Sequence, residues 1–276
     1  MNAICLNGRI YAADEPLFTA QNRGFRYGDG VFETIKVYAG HILLAAFHFD
    51  RLFLSLRLLK MEVPSSLNRQ ELSDQVLQLC RRNHCLDRAR VRLAVYRGDD
   101  NVANYVLEAF PLAAESSRLN EQGWTLELFP YARKSCDALG NLKTANYLPF
   151  VLADLYAREK GVDECLLLNV ENRICEASKA NIFLVRNNEV HTPALHQGCV
   201  NGVMRRFLIE RLKQNNIVVH QHELTEDLLK EAEEVFLTNA INGIRWVQRY
   251  HQSTYTRHFI QQIHSWCFPS FPEGPQ

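Results

Sequence analysis

The chain has 276 residues, room for one large domain or two medium ones. Hydrophobic residues make up 47% and charged residues 22%, ordinary for a globular protein. Its 31 basic side chains balance 31 acidic ones, so no net field recruits nucleic acid or an anionic membrane, and neither is expected as a partner.

The N-terminus "MNAICLNGRIYAADEP" has no basic segment followed by an apolar run, and so does not read as a signal peptide. Runs such as "HILLAAF" and "ECLLLNV" fall far short of the roughly 20 residues that span a bilayer, so a soluble cytoplasmic protein is expected. Asn7-Gly8 between two apolar stretches predicts a hairpin. "GVFETIKVYAGHILLAAF" reads as strand, Ala39-Gly40 turn and strand. "FHFDRLFLSLRLLKM" switches to helical period, with Phe49, Leu52, Leu56 and Leu59 on one face and Arg51 among apolar neighbours. A second helix from about Asn68 carries Leu72, Val76, Leu79 and Cys80 as its stripe. "ARVRLAVYRG" alternates Ala89, Val91, Leu93 and Val95 against Arg90, Arg92 and Tyr96, a half-exposed strand that "NYVLEAFPL" would pair. The polar, aperiodic stretch 113–123 reads as a linker between an N-terminal domain, 1–112, and a larger C-terminal one, 124–276.

In the second half a strand at "WTLELFP" precedes "GNLKTANYLPF", which reads from Thr144 onward as the approach to a buried helix. That helix is predicted at about 148–159, with Pro149 in its first turn. Two hairpins follow, turning at Glu171-Asn172 and Asn187-Asn188, then an amphipathic helix just after Gly202. A strand at 216–222, a helix at 225–232, two strands around "VFLTNAINGIRWV" and a closing helix from about Thr254 complete the chain. The eight cysteines show no C-x-x-C pair and no zinc-spaced Cys/His cluster, so they read as reduced thiols and no metal is expected. The pattern implies an α+β protein of two domains, a small N-terminal α/β domain and a larger one built on a mixed sheet or barrel.

Five features could carry chemistry. Lys143 is either a solvated ammonium or an amine held for reaction, and a lysine is nucleophilic only when partly neutral. Gly202 opens a helix at Val203, as a plain cap or as an anion site made of backbone N–H groups. Arg51 must snorkel, pair or bind an anion. Thr238 and Asn239 end an apolar strand and could offer a hydroxyl and an amide N–H to the same anion. Glu176, between apolar stretches, needs a partner if buried. Lysine, arginine, helix-start glycine, threonine and glutamate are together the groups that a pyridoxal phosphate site uses.

The wording and order of these segments resemble one family, the class IV aminotransferases, or fold-type IV pyridoxal phosphate enzymes. "NRGFRYGDGVFETIKVY", "FHFDRLFLS", "LKTANYLPFVLA", "RICEASKANIFLVRNNEVHTP", "GCVNGVMRR" and "FLTNAINGI" carry the likeness, in the family's order, over residues 4–248. The resemblance implies Lys143 as the lysine that bonds the cofactor and moves the proton at the substrate α-carbon, and Glu176 as partner of the pyridine nitrogen. It implies that Arg51, the backbone at Val203 and Met204 after Gly202, and Thr238 hold the phosphate. Asn181 would orient the loop or Glu176, Tyr147 and Asn239 would border the cofactor, and Tyr27, Phe32 and Arg92 would line the substrate pocket. Met204 departs from the threonine common at its position. A homodimer is the usual family assembly.

Within the family, "FETIK" and the three-residue step from Lys143 to Asn146 depart from branched-chain transaminases. Phe32 replaces a tyrosine, and Val102 and Asn104 stand where D-amino-acid transaminases carry an Arg-x-His pair. The chain is most similar to 4-amino-4-deoxychorismate lyases, which release pyruvate and leave p-aminobenzoate, although an arginine that some carry near position 102 is absent. Transamination of branched-chain or D-amino acids is the alternative, and a non-catalytic pyridoxal phosphate-binding homologue a remote one.

Overall fold

The computed structural model describes residues 2–113 and 118–267, so residues 114–117 of the predicted linker and 268–276 of the C-terminal domain lie outside the described residues. Cα proximity divides the chain into two units, Met1–Ser116 with Leu142–Asn146, and Ser117–Asn141 with Tyr147–Gln276. The lysine segment, expected with the C-terminal domain, thus groups with the N-terminal unit.

The first unit contains β1 (Ala3–Leu6), β2 (Arg9–Ala12), α1 (Arg23–Tyr27), β3 (Gly30–Tyr38), β4 (His41–Ile42), α2 (Ala45–Leu58), α3 (Arg69–Arg82), β5 (Arg88–Arg97) and β6 (Ala103–Pro111). Its six strands form an antiparallel sheet in the order β2-β1-β6-β5-β3-β4. Asn7 and Gly8 both take positive φ (49° and 83°), the geometry a two-residue hairpin demands. Beyond the Ala39-Gly40 turn the predicted second strand is only two residues long, because helix α2 takes up Ala45 and Ala46. Val31, Ile35 and Val37 of β3 and the alternate residues Ala89–Val95 of β5 pack against Phe49, Leu52 and Leu56 of α2 and the whole predicted stripe of α3. Arg92 and Tyr96 point from the other face of the sheet, as the period of two requires.

The second unit contains β7 (Trp124–Lys134), α4 (Leu148–Lys160), β8 (Glu164–Asn169), β9 (Ile174–Ala177), β10 (Asn181–Arg186), β11 (Glu189–Pro193), α5 (Val203–Gln214), β12 (Val219–His222), α6 (Glu226–Glu231), β13 (Glu234–Asn239), β14 (Gly243–Tyr250), β15 (Ser253–Thr254) and α7 (His258–Cys267). The nine strands run β12-β11-β10-β13-β14-β7-β8-β9, with β15 on β14. Pairs β11/β12, β14/β7 and β7/β8 are parallel and the others antiparallel, so the sheet is mixed. It curls into a half-barrel, and Ala177 at the end of β9 donates to Ala180 C=O just before β10 (2.8 Å). Ile182, Leu184, Val235, Leu237 and Val247 fill one side of the curl. Thr254, expected to start the closing helix, instead pairs back on Arg249, and the helix begins at His258 with Phe259 and Ile260 N–H groups donating to Glu234 (2.9 and 2.8 Å). No helix among the described residues is long and apolar enough to cross a membrane.

Candidate active site

In the first unit Lys143 sits in an extended segment, not at a helix start; the helix waits until Leu148. The helix starts where the sequence predicted it, and the approach from Thr144 is held by β3. Phe32 N–H donates to Lys143 C=O (2.9 Å), Ala145 N–H donates to Gly30 C=O (2.9 Å), and Thr144 bridges Val31. This short rung fixes Lys143 against the start of β3. Its Nζ stands 4.4 Å from the centroid of the Phe32 ring, and the guanidinium carbon of Arg92 stands 4.2 Å from the same ring. Phe32 is buried between these cations, a favourable use of the ring's negative face.

Below the rung, β3 sends Glu33 to the opposite side, toward α2. Arg51 grips that carboxylate with Nε (2.7 Å) and Nη2 (2.5 Å), and His48 donates from Nδ1 (2.6 Å). All three side chains are buried. Burial alone would raise the Glu33 carboxyl, but the Arg51 charge and the His48 hydrogen bond outweigh it and bring it down to about 2. Burial pushes His48 below the usual histidine range against the pull of Glu33, and the charges of Arg51 and Lys143 add to that. Lys143, Phe32 and Arg92 are thus brought together, while Arg51 is set with Glu33 and His48 on the other side of β3. Tyr27 stays 59% exposed at the end of α1, under the Arg23 guanidinium. A cavity of about 770 Å³ opens on the Arg92 face, lined also by Phe25, Gly30, Val31, Tyr96 and Ala145, a size that suits a small molecule.

In the second unit Glu176 on β9 is buried, and its partner is Lys134 at the end of β7. Burial opposes the lysine's charge, but Glu176 outweighs it and raises the Lys134 amine. The other Glu176 oxygen accepts the Val200 N–H (3.0 Å). Two residues on, Gly202 caps α5 with no side chain bonded to the helix start, leaving the first-turn N–H groups to whatever lies beyond them. A Cβ on Gly202 would fall on the Asn181 amide oxygen, while the Asn181 amide donates to Val200 C=O (2.9 Å). Asn181 is in register with Thr238 on β13. Thr238 Oγ1 is buried and has no hydrogen-bond partner.

Glu176, Asn181, the α5 start and Thr238 are therefore brought together. An uncapped helix N-terminus beside an orphaned hydroxyl fits an anion such as a phosphate, and the Glu176 carboxylate nearby fits a protonated ring nitrogen. Val203 and Met204 bury their side chains, so only their backbone can face that anion. Tyr147 donates to Ser178 C=O (3.2 Å) on the loop after Glu176, and Asn239 closes a turn by accepting Ile241 and Asn242 N–H (3.0 and 2.8 Å).

Sequence reasoning asked for a partner to Glu176 and did not name Lys134, which is 42 residues away. It also missed Glu33 and His48, although a carboxylate inside the apolar run "VFETIKV" was itself a signal that a cation lay opposite.

A family model described as "Amino-transferase class IV" matches residues 30–250. A protein of Methanocaldococcus jannaschii named "Putative branched-chain-amino-acid aminotransferase" is 33% identical over 245 residues, 85% of this chain and 83% of its own. The aminodeoxychorismate lyase of Bacillus subtilis is 28% identical over 253 residues, 86% of this chain and 83% of its own. Among solved structures, a branched-chain aminotransferase of Thermoproteus uzoniensis matches with a TM-score of 0.87 at 25% identity, over 97% of this chain and 94% of that one.

Proposed function

The chain belongs to the class IV aminotransferases, and from that premise we propose that it is a pyridoxal phosphate enzyme that cleaves 4-amino-4-deoxychorismate to p-aminobenzoate and pyruvate. The observation that carries the cofactor reading is the orphaned Thr238 hydroxyl, in register with Asn181 and with the uncapped start of α5 beside it. Bound there, pyridoxal phosphate supplies an electron sink for the charge that develops at the substrate α-carbon. Lys143 would be the residue that holds the cofactor covalently, and its Nζ would carry the α-proton of the substrate. Thr238, the Val203 and Met204 N–H groups and Arg51 hold the phosphate. Glu33 keeps the guanidinium of Arg51 in orientation. Glu176 faces the ring nitrogen, and Lys134 holds its carboxylate in place as an ion-pair partner. Asn181 fixes the approach to Gly202, Tyr147 and Asn239 border the cofactor, and Tyr27, Phe32 and Arg92 meet the substrate, Arg92 through its carboxylate.

The lyase reading is supported by "FETIK", by the short step from Lys143 to Asn146 and by the 28% identity to a lyase. Amino transfer to a 2-oxo acid is the second reading, favoured by the 33% identity to the archaeal protein. One assay divides them. The lyase releases pyruvate from aminodeoxychorismate with no oxo-acid acceptor, and a transaminase turns over only when one is added.

The cofactor reading is tested separately. Lys143→Ala should abolish activity and the absorbance at about 410–420 nm given by a lysine-bonded cofactor; survival of that band in the variant would overturn it. The same reading includes a homodimer in the cytoplasm. Exposed Phe18, Phe25 and Phe110 around the cavity and eight unbridged cysteines support it. Light scattering should give twice the chain's 31.9 kDa.

A further inference from the structure

Three histidines and a glutamate meet at the edge of the nine-stranded sheet, and the family reading uses none of them. Glu189 and His191 are two apart on β11, and His220 and His222 are two apart on β12. A strand's period of two puts each pair on one face. The parallel register sets His191 beside His220 and Pro193 beside His222, so all four side chains share a face. Gln221, between the two histidines, points the other way and accepts from Arg205 of α5 (2.8 Å).

On the shared face His220 Nε2 lies 2.7 Å from a Glu189 oxygen, and His191 Nδ1 lies 3.0 Å from His222 Nε2. The His191 and His220 rings stack with centroids 4.8 Å apart. One ligand atom each from Glu189, His191 and His220 lies within 4.8 Å of the others. Metal–nitrogen bonds of about 2.0–2.1 Å in a tetrahedral site put ligand atoms roughly 3.3 Å apart, so the most distant atoms of the set would close by up to about 1.5 Å, a movement that rotations of these half-exposed side chains can supply.

We propose that Glu189, His191 and His220 bind a divalent metal ion of the zinc class, with His222 orienting His191 or completing the coordination. Two or three imidazoles with one carboxylate suit Zn²⁺, Ni²⁺ or Co²⁺ and do not suit Mg²⁺ or Ca²⁺, which take oxygen ligands. Arg186, paired in register with Glu189, opposes the cation, but its guanidinium is engaged by Glu231 (3.2 Å). Because β12 is a four-residue edge strand, the ion would clip that edge to β11. Linear spacing hides the set: the ligands come from two separate strands, and only the register unites them.

The test uses the full chain loaded with its cofactor, dialysed against Zn²⁺ and then analysed for bound metal. We expect one ion per chain. His191→Ala with His220→Ala should weaken binding at least tenfold, while exposed His84→Ala should not. Saturating Zn²⁺ should raise the Tm by about 5 °C in the wild type and leave that double variant unmoved. Glu189→Gln keeps the shape of its side chain and guards against misfolding; it should bind more weakly with an unchanged metal-free Tm. Zinc bound equally well by the double variant, or not at all by the wild type, would overturn the proposal. It stands independently of the cofactor reading.

Discussion

Thr238 presents a buried hydroxyl that bonds nothing among the described residues, an arrangement that costs about 1–3 kcal/mol of desolvation. Thr238→Val removes that cost at equal shape. The variant without cofactor should be as stable as the wild type or slightly more so in a thermal melt, while its affinity for pyridoxal phosphate should fall about tenfold in an absorbance titration. Equal affinity would remove Thr238 from the phosphate site. Glu33 makes the opposite case, since its contacts are already complete. Glu33→Gln leaves Arg51 buried without its anion and should cost about 3–5 kcal/mol. Because the folded-state pKa of Glu33 is depressed to about 2 from 4.5, its ionisation stabilises the protein above pH ~4.5 and stops doing so as pH falls toward 2. Urea melts from pH 6 to pH 3 should show the gap between wild type and variant narrowing as pH falls; a constant gap would refute that assignment.

At the scale of elements, Gly202 is needed for space, not for backbone freedom. Its φ of −62° is open to any residue, but a Cβ would run into Asn181. Gly202→Ala should therefore cost about 1–3 kcal/mol. Removing the obstacle with Asn181→Ala should make the double variant more stable than the two separate losses predict, by roughly 1 kcal/mol in a double-mutant cycle. Strict additivity would mean that the two do not compete for space. Sequence was most informative where elements are local. The stripe of α3, the alternation of β5 and the Asn-Gly and Asn-Asn turns follow from periodicity and φ preference within a few residues. It was silent where a segment answers to a distant neighbour: Thr144, on the approach to α4, pairs with Val31 more than a hundred positions earlier. At the site, motif residues such as Lys143, Glu176 and Gly202 stand out in the text. The ions that balance them do not, because a charge partner leaves no mark on the local pattern.

At the scale of the molecule, the order of motifs along the sequence carried the family. The return of Leu142–Asn146 to the N-terminal unit was invisible in the sequence, since a five-residue rung has no period of its own. The buried charges have a further consequence. Arg51 is balanced by Glu33 and Glu176 by Lys134, so neither depends on an outside group to compensate it. On the proposed pyridoxal phosphate reading, a chain made while vitamin B6 is scarce should then keep its fold and escape clearance, holding in reserve a pool of dormant enzyme that wakes when the vitamin returns. Its half-life in starved cells should equal that in fed ones; rapid loss on starvation would show that the nutrient, and not the chain's own ion pairs, keeps the protein alive.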